Sequence, residues 1–60
     1  MYKAFPELLT VDEAADILKV TPHQMRELLR HNRIPFIRIG ERIRRISRDA
    51  LAEFIEKNTI

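Results

Sequence analysis

Cysteine and tryptophan are absent from this chain, and glycine occurs once, at position 40. Without cysteine there is neither a disulfide framework nor a thiolate metal centre, and His23 and His31 alone are too few for a Cys/His zinc site. Sixty residues suit one domain, 1–60, and a domain of that size buries only about 60% of its unfolded surface, so packing alone must support a marginal stability. No apolar run approaches the roughly 18 residues of a membrane span, and the first residues lack the apolar centre of a signal peptide. The expectation is a soluble, cytoplasmic protein with no membrane partner.

Two helix-sized amphipathic segments and a hairpin leave little room for a pocket ringed by placed acids, bases or a metal. No enzymatic activity, catalytic residue, cofactor, metal or small-molecule ligand is therefore expected. Asp12, Glu13 and Asp16 would suit a divalent cation by type, but they fall in the first turns of a helix, where acids complement the positive end of the macrodipole.

What the chain does have is a sharp division of charge. Arg26, Arg30, Arg33, Arg38, Arg42, Arg44, Arg45 and Arg48 crowd into residues 21–48 against Glu27 and Glu41 alone, a local charge of +6, while the remainder carries −4. The total of +2 conceals that dipole. Arginines that neutralise phosphates release condensed counterions, and their field acts over about 8 to 10 Å at cellular salt, so nucleic acid is the natural partner. The plain alternative is a solvated basic flank.

Residues 1–7 show no period and contain Pro6; they read as a lead-in whose Tyr2 or Phe5 folds back on the body or joins a self-association surface. Thr10 and Glu13 form a capping box, and Val11, Ala14, Ala15 and Leu18 recur at the spacing of one buried stripe, predicting a helix over 11–19. Thr21 caps a second helix over 22–31, with Pro22 at its first position and Gln24 completing another capping box. Only a tight turn fits between the two, which is helix-turn-helix spacing. Wound at 100° per residue, the second helix turns Met25, Leu28 and Leu29 inward and His23, Arg26, Glu27 and Arg30 outward. Met25 between leucines reads as core filling rather than as a soft ligand. Asn32 ends the helix in a left-handed conformation, and Arg33-Ile34-Pro35 redirects the chain.

Phe36-Ile37-Arg38-Ile39 and Arg42-Ile43-Arg44-Arg45-Ile46 flank Gly40-Glu41 and predict a hairpin over 36–46 with a type II′ turn. Ile43 and Ile46 are three apart and cannot share a face of a regular strand, so a bulge or a slightly longer loop is expected. Ser47 caps a helix over 48–57 in which Leu51, Phe54 and Ile55 face inward and close the core against the first helix.

Taken together, Leu8-Leu9-Thr10-Val11-Asp12-Glu13-Ala14-Ala15, Leu18, Val20-Thr21, Leu28, Arg30, Ile34-Pro35-Phe36, Arg38-Ile39-Gly40, Asp49, Leu51 and Phe54 resemble the excisionase-type winged helix-turn-helix domains, relatives of the MerR DNA-binding domain. The resemblance covers about residues 8 to 57 and implies a mostly α fold with a small β-hairpin. It also implies a recognition helix in the major groove (residues 21–31) and a wing reaching the adjacent minor groove (residues 37–45). The chain departs from that pattern at Pro22-His23-Gln24, where a polar or basic run is common, and at Arg26, where an aromatic is.

In a major groove, Arg26 and Arg30 suit guanine O6 and N7, a bidentate contact that discriminates by about 1 to 3 kcal/mol. Glu27 can accept from cytosine N4 or can orient the neighbouring arginines, and both readings stand. Thr21, His23 and Gln24 lie near the helix start, where bases, phosphates or solvent are within reach. Arg38, Arg42, Arg44 and Arg45 suit phosphates or a narrow A·T-rich minor groove, or else protect an exposed hairpin edge. The resemblance implies an excisionase that bends double-stranded DNA, in several cooperative copies, to help a tyrosine-type integrase excise a mobile element. A small transcriptional regulator of a phage or mobile element is the alternative, and an adaptor whose basic face meets an acidic protein is a third reading.

Overall fold

The computed structural model describes residues 7–60, so the expectations for Tyr2 and Phe5 fall outside the described residues. Its elements run β1 (Leu8–Leu9), α1 (Val11–Leu18), α2 (Pro22–Arg30), β2 (Ile37–Ile39), β3 (Ile43–Ser47) and α3 (Arg48–Lys57). This is the mostly α, winged helix-turn-helix architecture anticipated from the sequence, with one strand more.

Local chemistry sets the helix ends. Thr10 Oγ1 accepts from the Glu13 N–H at 3.0 Å while Glu13 Oε1 accepts from the Thr10 N–H at 2.8 Å, and Thr21 and Gln24 repeat the exchange at 3.1 and 2.9 Å. Two orphan donors are satisfied at each helix start. Between α1 and α2, Lys19 turns the chain at φ 61°, and the Val20 N–H reaches back to the Ala15 carbonyl at 3.0 Å. Asn32 repeats that left-handed exit after α2 at φ 56°, with Arg33 N–H donating to the Leu28 carbonyl at 2.9 Å.

Met25, Leu29, Ile34 and Ile46 are the largest fully buried side chains, joined in the core by Leu9, Ala14, Ala15 and Leu51. The two small alanines let α2 lie close to α1. Leu28, expected inside, is only half-buried at the margin of this cluster. Ile55, also expected inside, is 42% exposed, and the main neighbour of α3 is β3 rather than α1. A helix that covers a sheet with Leu51 and Phe54 needs only a narrow stripe, and Ile55 lies beyond it.

The sheet is three-stranded and antiparallel, in the order β1-β3-β2. Leu8 and Leu9 pair with Ser47 and Ile46, continuing the edge of β3 that β2 leaves vacant. In the wing Ile37, Arg38 and Ile39 face Arg45, Arg44 and Ile43 in unbroken register, closed by the three residues Gly40, Glu41 and Arg42. The longer loop is therefore realised and the bulge is not. Gly40 holds φ 69°, a conformation that strains residues with a Cβ even though the space around it is open. The conflict between Ile43 and Ile46 is resolved by orientation: Ile46 is fully buried and Ile43 is 47% exposed.

Candidate nucleic-acid interface

The outer face of α2 is open. His23, Arg26 and Arg30 are exposed and Glu27 is half-buried, because Met25 and Leu29 turn the opposite stripe into the core. Thr21 and Gln24 stand at the start of the same helix, where each side chain accepts from the other's backbone N–H. The Gln24 amide oxygen is thus committed to the cap.

Glu27 lies on Arg30. Its Oε1 accepts from Arg30 Nη2 at 2.7 Å and its Oε2 from Arg30 Nε at 3.3 Å, and His31 Nε2 stands 3.5 Å from the same Oε1. The hydrogen bond from Arg30 is the chief reason that the Glu27 carboxyl is held below its ordinary value; His23 and His31 act in the same direction more weakly, against partial desolvation. Arg30 is raised in turn by that hydrogen bond and by the Glu27 charge. In the free protein Glu27 is hydrogen-bonded to Arg30, and it forms no hydrogen bond or ion pair with Arg26. His31, which the sequence left without a role, belongs to this cluster, its Nε2 lying 3.4 Å from Arg30 Nη2.

The wing presents a different surface. Arg38 and Arg44 stand opposite each other, and both guanidinium carbons lie over the Phe36 ring, 6.0 and 5.8 Å from its centroid. Like charges directly across a ladder repel, and the electron-rich ring face offsets part of that repulsion. Arg45 Nη1 donates to the Arg44 carbonyl at 2.9 Å. Among the described residues the ion pairs are Arg30–Glu27, His31–Glu27 and Arg48–Glu7, so Arg26, Arg38, Arg42, Arg44 and Arg45 have no carboxylate partner. Arg48 leaves the basic set: its Nε donates to Glu7 Oε1 at 2.9 Å and its backbone N–H to the Glu7 carbonyl at 2.8 Å, tying the entry of β1 to the start of α3.

One cleft of about 310 Å³ brings Arg26 of α2 together with Arg42, Arg44 and Arg45 of the wing, against the first turn of α1. A larger hollow of about 590 Å³ runs along α3 beside Asp49, Glu53 and Glu56, on the acidic side of the molecule. Its sign makes it unsuitable for a polyanion. Phe36 and the α1 turn escaped the sequence reading, although Phe36 lies two residues before Arg38, a spacing that shares a face once a strand is assumed. Among the described residues no three potential metal ligands gather, and no helix is long and apolar enough to cross a membrane.

No curated protein and no solved structure matches the chain. The helix-turn-helix domain family does, over residues 8–59, which include both helices, the intervening turn and the wing. The chain therefore belongs to this family, and is an excisionase-type DNA-binding helix-turn-helix domain.

Proposed function

We propose that the domain is a non-enzymatic architectural factor that recognises double-stranded DNA sequence-specifically and assists a tyrosine-type integrase in excising a mobile element. The observation that carries this reading is the group of carboxylate-free arginines from α2 and the wing around one cleft, beside an α2 face left open by the core. In this reading Arg30, hydrogen-bonded to Glu27, reads guanine in a major groove, with His23 and the α2 start alongside. Arg38, Arg42, Arg44 and Arg45 serve the neighbouring minor groove and its phosphates.

A partner protein has support of its own. The register puts Ile37, Ile39 and Ile43 on one face of the sheet, with Leu8 at its far end, and all four are more than 40% exposed. Apolar surface gathered on one side suits a protein contact, here an integrase or a neighbouring copy on the DNA.

The test has two stages. Affinity for a duplex is measured across salt concentrations; the log–log slope should be steep, at about −0.9 per phosphate neutralised, whereas a flat response would favour an acidic protein partner. Excision by a cognate integrase should then require this chain. Steep, specific binding without any effect on excision would turn the assignment to a small transcriptional regulator.

A further inference from the structure

The two arginines of the outer α2 face stand in different surroundings. Arg26 and Arg30 are both exposed on α2 and were equal candidates for guanine. They differ in company. Arg30 is turned toward Glu27 and His31, whereas Arg26 lines the cleft with Arg42, Arg44 and Arg45, together with Asp12 of α1 and its cap residue Thr10. Beyond Leu9 the first strand ends, so among the described residues the edge of β3 from Ile43 to Arg45 has no ladder partner on the side away from β2, and these residues line the cleft.

We infer that the cleft is a seat for the sugar–phosphate backbone running between the two grooves, with Arg26 as a phosphate ligand rather than a base reader and Asp12 as a built-in brake. The inference rests on the DNA-binding reading above and assigns its parts.

Three observations support it. Four arginines, one from α2 and three from the wing, line this cleft of about 310 Å³, with Arg44 and Arg45 on opposite faces of β3, and none has a carboxylate partner among the described residues. Two of the four are already steadied, Arg44 by the Phe36 ring and Arg45 by the Arg44 carbonyl, so little side-chain freedom remains to be lost on binding. Asp12 is the single acid on the wall and is paired with none of them. A duplex that places a major groove on α2 and a minor groove on the wing must pass one backbone strand between those elements, and this hollow lies between them. The strand's negative charge matches the arginines and is opposed by Asp12.

The test begins with a duplex that the wild-type chain selects from a random pool, compared with a scrambled duplex of equal length. Anisotropy titrations over a salt series then follow Arg26→Ala, Arg30→Ala and Asp12→Asn, with Arg33→Ala and Glu53→Gln as charge-matched controls beside a separate hollow between Pro35 and α3; circular dichroism verifies folding. Arg26→Ala should weaken both duplexes alike and flatten the salt slope by about 0.9, leaving their ratio unchanged, while Arg30→Ala lowers the ratio. Asp12→Asn should tighten both by about two- to fivefold, within the range of a single exposed charge pair, and Glu53→Gln should do less. The inference is overturned if Arg26→Ala lowers the ratio as Arg30→Ala does, if Arg33→Ala matches Arg26→Ala, or if Glu53→Gln tightens binding as much as Asp12→Asn. If the wild-type chain retains no duplex at any salt, the DNA-binding reading fails and the cleft assignment with it.

Discussion

The recognition helix and the wing carry similar cations on opposite kinds of foundation. In α2 a capping box fixes the start, Met25 and Leu29 anchor one side in the core, and Glu27 directs Arg30. In the wing, three isoleucines of the hairpin lie more than 40% exposed, and Arg38 and Arg44 are steadied against Phe36 rather than by any carboxylate. A rigid helix with an aimed guanidinium suits a contact whose energy depends on geometry, as a bidentate base contact does. A ribbon with unpaired charge suits phosphates, which demand position less and reward charge more. The difference teaches that the same cation on different foundations suits different contacts.

The comparison breaks most visibly in stability. Leu29→Ala should cost about 2 to 5 kcal/mol by urea denaturation, a large part of what so small a domain possesses, whereas Ile43→Ala on the wing should stay within about 0.5 kcal/mol. Equal losses would mean that the wing is as deeply integrated as the helix.

Next in size is affinity. Arg30→Ala should weaken binding to a preferred duplex by about 1 to 3 kcal/mol and relax preference at one base, while Arg38→Ala should weaken all duplexes together and flatten the salt slope by about 0.9. Titrations on matched and mismatched duplexes separate the two outcomes, and a wing variant that relaxed base preference would reverse the assignment.

A smaller effect tests the helix start. Thr21→Ala removes the acceptor for the Gln24 N–H and should cost about 1 kcal/mol of stability, with no counterpart in the hairpin from Ile37 to Arg45.

The smallest concerns Glu27. Its carboxyl titrates below the ordinary 4.5 because Arg30 donates to the charged form, so its contribution is complete well above that value and is lost as the pH falls through the lowered one. Carbon-detected titration should show the depressed midpoint in the wild type and its return toward 4.5 in Arg30→Ala. An unchanged midpoint would deny that the pair is formed.

The helices and their ends were legible because the signals are local. Thr10 with Glu13, and Thr21 with Gln24, are three residues apart, and the left-handed exit at Asn32 depends on its own short side chain. The outward set on α2 followed from the same periodicity. The wing was legible as a hairpin but not in its details, since three isoleucines and a phenylalanine can be distributed over two faces in more than one register. Ile55 was misplaced, and Leu28 is enclosed only in part, for a related reason: a helical stripe says which way residues point, while the breadth of the covering partner decides how many are enclosed. Glu27 was left between two roles because a sequence neighbour at i+3 can be touched or ignored, and the 2.7 Å contact to Arg30 is visible only in the structure.

By itself the amino-acid sequence determined the segregation of charge, the caps, the tight turn between α1 and α2 and the outward face of the second helix, all consequences of residue type acting within one or two turns of chain. Tertiary structure alone decided that Leu8 and Leu9 join β3, that Glu7 takes Arg48 from the basic set, that Ile46 is buried while Ile43 is not, and that Arg26 shares a cleft with the wing. Partners as far apart as Glu7 and Arg48, 41 positions along the chain, meet only when the whole core is closed. No local preference selects them; the burial of Leu9, Ile34 and Ile46 together does.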